Sequence, residues 1–295
     1  MNKVAIYGGL GNQMFQYALC VALNQKGVKS RILFSHYLYS FHHDGFSLGN
    51  AFRIKLDLPS KILNSILTYG KFFYKNKISG FFLKRMLVSY QQKKNKYVEK
   101  EEFEFDPQVF NQKGKTLIGI WQAEAYFRDI KELIVKEFEF RTPADEKNRG
   151  LIEKIVNSNS VSIHVRRGDY LNDRWKNILG VIRGTVYYDN AVNFMTDKVK
   201  NPNYFVFSDD IKWAKDNLKL GNCIYVNHNK GRKSYVDMYL MSICKHNIIA
   251  NSTFSWWAAW LNKNPEKIVT IPEKWIIGKN CEQMYPAQWV KIKVE

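Results

Sequence analysis

The chain has 295 residues, 45% of them hydrophobic, 15% aromatic and 24% charged, a composition that excludes a disordered protein and leaves room for one large core or two ordinary ones. With 45 Lys and Arg against 27 Asp and Glu, the net charge of +18 calls for an anionic partner: a phosphorylated small molecule, an anionic lipid surface or nucleic acid. Cys20, Cys223, Cys244 and Cys281 form no CxxC pair and have no histidine at zinc-ligand spacing, which argues against a disulfide framework and a structural zinc.

The N-terminal run MNKVAIYGGLGNQMFQYALC lacks the apolar core and cleavage site of a signal peptide. No later stretch reaches the ~18 apolar residues of a spanning helix, so a cytoplasmic protein is expected. The predicted elements begin with a strand, Val4 to Tyr7, then the turn Gly8-Gly9-Leu10-Gly11-Asn12, a helix from Gln13 to Gln25 and a strand from Arg31 to Phe34. Strand, glycine turn, helix and strand open a parallel α/β unit whose helix N-terminus points N–H groups at the turn.

Between Lys61 and Lys100 the texture changes to ten basic residues against one acid, Glu99, with Tyr69, Phe72, Phe73, Tyr74, Phe81, Phe82 and Tyr90 interleaved. This predicts an inserted basic helical arm standing apart from the sheet. Regular α/β patterning resumes near Leu117, and the polar run Thr142 to Asn148 is the expected boundary, giving domains 1–145 and 146–295. Beyond it the predicted order is strand 161–165, helix 187–199, strands 204–207 and 224–226, helix 235–245, strand 248–250, helix 254–261 and strand 268–271, a second doubly wound unit.

Four segments carry chemistry. The turn containing Gly9, Gly11, Asn12 and Gln13 has Met14 where a dinucleotide fingerprint needs its third glycine, and no acidic residue closes the next strand, which disfavours NAD. His164-Val165-Arg166-Arg167-Gly168-Asp169-Tyr170 ends a predicted strand, where open α/β sheets place their ligands. Paired guanidiniums there fit a pyrophosphate through parallel hydrogen bonds, or else form an internal ion pair with Asp169. Ser208, Asp209 and Asp210 also end a strand and are open to three readings: helix capping, a metal site, or a carboxylate that receives the N–H edge of guanine. Asn251-Ser252-Thr253-Phe254-Ser255 opens a helix carrying Trp256, Trp257 and Trp260, so its hydroxyls either cradle an anion or simply cap the helix.

Taken together, GGLGNQMFQYA, HVRRGDY, FSDD and NSTFSWWAAWL, in this order over residues 5 to 261, resemble the α-1,2-fucosyltransferase family. HVRRGDY followed by Thr253-Phe254-Ser255 also looks like the nucleotide-binding signature of α-1,6- and protein O-fucosyltransferases. The resemblance implies a GT-B-like α/β fold of two facing Rossmann-like domains, an N-terminal acceptor side and a C-terminal domain that holds GDP-fucose. It implies transfer of L-fucose to the 2-hydroxyl of a galactose-terminated glycan, with inversion and without a metal or other cofactor, in lipopolysaccharide or O-antigen assembly.

On the same basis Arg166 would hold the β-phosphate with His164 and Arg167 nearby, Asp209 or Asp210 would read guanine, and Asn251 to Ser255 would form the phosphate cradle. His43 and Asp44, in a looser match, fall on the acceptor side. A base for the attacking hydroxyl is wanted, and Asp44, Asp169 and Glu124 are open candidates. The arm at 61–100 lies outside the resemblance; its charge suggests peripheral contact with an anionic membrane. A nucleic-acid-binding protein is disfavoured, because the basic residues concentrate in one arm and no nucleic-acid module is present.

Overall fold

The computed structural model describes residues 1–33, 45–54, 95–143 and 145–295, and the chain divides into two units, Met1–Arg141 and Thr142–Glu295. In the first unit β1 (Asn2–Ala5), β2 (Ser30–Leu33), β3 (Lys96–Val98) and β4 (Thr116–Ile118) form a parallel sheet in the order β2-β1-β4-β3. Helix α1 (Leu10–Gln25) crosses from β1 to β2 and buries Leu10, Met14, Phe15, Ala18, Leu19 and Ala22 against the sheet. Those positions recur three and four residues apart, the spacing of one helical face. Two short helices, α2 (Leu48–Ala51) and α3 (Lys131–Glu137), complete the α-helices described in this unit.

Helix α1 begins three residues before the predicted Gln13. Only Gly8 takes a left-handed φ, +81°, while Gly9 is the N-cap and Leu10–Asn12 are already helical. A β-carbon at Gly8 would lie 2.7 Å from Asn12 Nδ2, so the tight turn needs glycine there on two counts. The expectation of an arm apart from the sheet is corrected at its C-terminal end: Lys96–Val98 is β3, with Tyr97 in register with Leu117 of β4. Tyr and Val suit a pleated surface, and the edge of β4 offers the ladder they complete. The rest of the arm, to residue 94, lies outside the described residues.

The second unit carries six parallel strands: β5 (Ser160–Val165), β6 (Asn203–Ser208), β7 (Cys223–Val226), β8 (His246–Ile248), β9 (Val269–Pro272) and β10 (Val290–Ile292). Their order is β10-β9-β8-β5-β6-β7. Counting from β5 along the chain, this is the 3-2-1-4-5-6 order of a Rossmann sheet, with the switch point between β5 and β8. Every residue of β5 and β9 is buried, as expected where helices cover both faces of a parallel sheet. The helices are α4 (Glu146–Val156), α5 (Val186–Lys198), α6 (Ile211–Asn217), α7 (Tyr235–Ser242) and α8 (Thr253–Leu261).

The polar boundary run at 142–148 is more than a linker, because Asp145 accepts from the Asn148 N–H at 3.1 Å and starts α4 inside it. Helix α8 is fixed by its tryptophans: Trp256 stacks with Trp260 at 6.2 Å, Trp257 meets both edge-on, and Trp256 Nε1 donates to the Met284 carbonyl at 3.0 Å. Each of these rings is nearly or fully buried, and full burial of a large apolar side chain contributes about 1.5–3 kcal/mol. All four cysteines are free thiols. Among the described residues no helix is long and apolar enough to cross a membrane.

Candidate active site

At the switch point the two neighbours of β5 leave it at different heights. Pairing with β6 continues to Val165↔Ser208, whereas pairing with β8 stops at Ile163↔Ile248. The gap above Ile163 is closed by one side-chain contact, His164 Nδ1 to Ser255 Oγ at 2.9 Å, between the end of β5 and the first turn of α8. His164 is buried, and that burial, together with the charge of Arg166, holds its pKa down to about 3. The imidazole is therefore neutral near pH 7. Phe254 lies against it, ring centroids 5.8 Å apart, and Tyr188 OH donates to the His164 carbonyl at 3.2 Å.

Arg166 leaves the strand between two carboxylates. Its Nη2 is 2.9 Å from Asp169 Oδ1 and its Nε 3.3 Å from Asp209 Oδ2. Burial opposes its charge, and Asp209 and Asp169 more than offset that opposition. Asp209 does a second job: its oxygens accept from the N–H groups of Arg167 at 2.9 Å and Gly168 at 3.1 Å. Two successive backbone N–H groups form a small anion-binding concavity, here filled by the protein's own carboxylate.

Arg167 turns away from Arg166. Its guanidinium lies 3.8 Å over the Trp213 ring, donates to the Arg183 carbonyl at 2.7 Å and stands 3.7 Å from Asp210. Asp210 accepts from the Trp213 N–H at 3.1 Å and caps α6, and Ser208 Oγ accepts from the Asp210 N–H at 2.9 Å. The capping reading of this segment thus describes Asp210. Neither carboxylate belongs to a metal constellation: among the described residues no group of three or more His, Cys, Asp or Glu is placed to hold an ion.

The Asn251–Ser255 segment divides by role. Asn251 Nδ2 donates to the Leu179 carbonyl at 2.9 Å and the Trp275 carbonyl at 3.0 Å, bracing two loops. Ser252 is the N-cap of α8 but makes no side-chain cap bond to it, and Thr253 is the first helical residue. The segment is therefore a helix start with hydroxyls at its mouth.

In the N-terminal unit the glycine-turn residues are latches. Gln13 donates to the carbonyls of Gly8 at 3.0 Å and Gly45 at 2.9 Å and accepts from the Ser47 N–H at 2.8 Å. Asn12 Oδ1 accepts from Gln122 Nε2 at 3.1 Å. Gly9 and Gly11 form the N-cap and first turn of α1. Glu124 is buried and pairs with Arg128 at 3.3 Å. His43 and Asp44 lie outside the described residues.

Sequence reasoning missed two carboxylates, the half-buried Asp237 and the buried Glu99. Asp237, in the first turn of α7, accepts from Asn229 Nδ2 at 2.8 Å, and burial pushes its pKa up to about 7. Glu99 lies just past β3. A lone acid in the apolar run YVDMYLM was the available signal for the first, and a lone acid in the basic stretch 61–100 for the second.

The switch point of this Rossmann-ordered sheet brings together an ion-paired arginine, a neutral histidine and a hydroxyl-lined helix start at the edge where open α/β sheets place their ligands. Residues 1–293 match the family described as glycosyl transferase family 11, and the chain belongs to that family. It is 33% identical, over 97% of its length and 98% of the relative's, to the O-antigen biosynthesis glycosyltransferase WbnK of Escherichia coli. It is equally similar, at 33% over 97% of both chains, to an alpha-1,2-colitosyltransferase of the same organism. A galactoside alpha-(1,2)-fucosyltransferase 1 from Alouatta belzebul is 25% identical over 86% of this chain and 63% of its own. Among solved structures, NodZ alpha-1,6-fucosyltransferase soaked with GDP-fucose aligns with a TM-score of 0.50 at 13% identity, covering 88% of this chain and 91% of that one. That likeness bears on the fold, which is the expected α/β, GT-B-like class.

Proposed function

We propose that this glycosyltransferase moves L-fucose from GDP-fucose to the 2-hydroxyl of a galactose-terminated glycan, with inversion at the fucose anomeric carbon. The observation that carries the reading is Arg166, held between Asp169 and Asp209 beside the start of α8 at the switch point. When the bond to the diphosphate breaks, negative charge gathers on the β-phosphate while the sugar becomes cation-like. Fixed donors aimed at the leaving oxygens lower that barrier. The outer edge of the Arg166 guanidinium and the N–H groups of α8 supply them, and His164, kept neutral, adds no competing charge. Asp169 is a site residue through its ion pair with Arg166.

Asp209 already serves three donors and Asp210 two, whereas one donor, Asn229 Nδ2, is described for Asp237. We therefore assign the guanine edge to Asp237, whose helix begins on the carboxyl side of the sheet and packs against α8. No resident metal is assigned to the reaction, because cationic and backbone donors neutralise the leaving group. A second reading, a colitosyl donor in place of the fucosyl one, is favoured by the relative named an alpha-1,2-colitosyltransferase.

The deciding experiment incubates the protein and lactose with GDP-fucose or the colitosyl donor, each with and without excess EDTA, and maps the product linkage by NMR. Fucosyl transfer to the galactose 2-hydroxyl, undiminished by EDTA, is expected. Transfer from the colitosyl donor alone selects the second reading, and a different linkage or a strict need for added Mn²⁺ or Mg²⁺ overturns the proposal. We also propose that the basic stretch 61–100 contacts an anionic membrane; equal flotation with anionic and neutral liposomes removes that idea.

A further inference from the structure

In the N-terminal sheet, β1 leads through α1 to β2 on one side, while β4 and β3 lie on the other. Its switch point is therefore between the carboxyl ends of β1 and β4, the position where open α/β sheets receive ligands. Four features converge there. Tyr7 follows β1, Gly119 and Trp121 follow β4, and Glu99 reaches across from the end of β3. Glu99 Oε2 accepts from the Ile120 N–H at 2.6 Å and Oε1 from the Trp121 N–H at 3.0 Å.

The side chain is only 9% exposed, and the approach is so close that a β-carbon on Gly119 would stand 2.6 Å from Oε2. Beside it the Trp121 indole N–H is fully buried and has no hydrogen-bond partner among the described residues, on a residue whose φ is +55°. A non-glycine residue held left-handed is strained backbone. An orphaned buried donor, a strained residue and a fixed carboxylate at one sheet end are costly together unless a ligand uses them.

We propose that Glu99 is an acceptor-binding residue, its carboxylate receiving a hydroxyl of the acceptor sugar at the switch point of the N-terminal sheet. An ionised carboxyl has about four acceptor positions, and the two backbone N–H groups fill only half of them. Tyr7, whose phenol is kept protonated by burial and by the Glu99 charge, is a second hydroxyl-bearing wall on the β1 side. Burial, reinforced by Glu102 and Asp106 and opposed by the Trp121 and Ile120 bonds, pushes the Glu99 pKa up to about 7. A desolvated carboxylate of that kind gains from hydrogen-bond donors that arrive with a neutral ligand. The inference rests on the galactoside reading above.

The test uses the full chain, with lactose and methyl β-galactoside as probes, in wild type, Glu99→Gln and Tyr7→Phe. Saturation-transfer NMR reads sugar contact directly, GDP affinity reads the C-terminal unit, and melting temperature reports folding. Expected are at least tenfold weaker lactose contact and acceptor KM at least tenfold higher in Glu99→Gln, and a smaller loss of the same kind in Tyr7→Phe, with GDP Kd within twofold of wild type in both. Folded Glu99→Gln with unchanged lactose contact overturns the proposal and leaves Glu99 as a loop staple. If Glu99→Gln does not fold, unchanged lactose contact in Tyr7→Phe overturns it equally. Wild-type protein that binds GDP-fucose but never contacts either galactoside instead refutes the acceptor reading on which the inference stands.

Discussion

Replacing Asp209 by Asn changes one oxygen to an amino group and tests how Arg166 is held. In the native site the carboxylate serves three donors at once: the Arg167 N–H at 2.9 Å, the Gly168 N–H at 3.1 Å and Arg166 Nε at 3.3 Å. The amide keeps one acceptor, so one backbone N–H retains its bond while the amino group faces the other donors. Both charged side chains are under a third exposed, 28% for Arg166 and 23% for Asp209, so solvent screens their interaction only in part.

A hydrogen bond to a charged group contributes about 1.5–3 kcal/mol, and losing one such bond plus part of the ion pair costs about 2–4 kcal/mol. At ~1.4 kcal/mol per tenfold, Asp209→Asn should lower kcat/KM for the nucleotide sugar by roughly 30- to 1,000-fold. Melting temperature and GDP affinity measured alongside separate a misplaced Arg166 from an unfolded unit. A folded Asp209→Asn variant with kcat/KM within threefold of wild type would show that Arg166 needs no such support.

The assignment of Asp237 to the guanine edge predicts that Asp237→Asn weakens GDP binding about tenfold while leaving UDP binding unchanged; parallel losses for both nucleotides, read by calorimetry, count against it. His164 makes a pH prediction whose sign follows from its folded pKa of about 3, below the unfolded value of ~6.5. The unfolded chain takes up this proton first, so full stability is present above pH ~6.5 and declines as pH falls toward 3. Melting temperature should therefore drop less steeply on acidification in His164→Gln than in wild type, and identical slopes would exclude His164 as a source of acid sensitivity.

Much of the C-terminal unit was legible because its strands are continuous apolar runs ending in polar motifs, and position at a strand end carries functional weight. HVRR, FSDD and NSTF could each be placed on the ligand edge in this way. What could not be read were partnerships set by strand order. Asp209 binds the N–H groups of residues 42 and 41 positions earlier only because β6 lies beside β5. The same holds for Glu99, which meets Ile120 and Trp121 across two short strands with little periodicity of their own. Adjacent arginines looked equivalent in sequence, yet Arg166 faces two carboxylates whereas Arg167 stacks on Trp213.

The unequal heights at which β6 and β8 leave β5 have a mechanical consequence. On one side of the crevice the ladder runs to Val165↔Ser208 and is continued by the Asp209 bonds, so that wall is stiff. On the other, pairing ends at Ile163↔Ile248 and the chain turns at Ala250 into α8, fastened back to the strand by the His164–Ser255 contact. The two walls of the crevice are thus held by different means: the Arg166 side by a strand ladder, and the α8 side by side chains, namely the Asn251 bonds to the Leu179 and Trp275 carbonyls and the packed tryptophans.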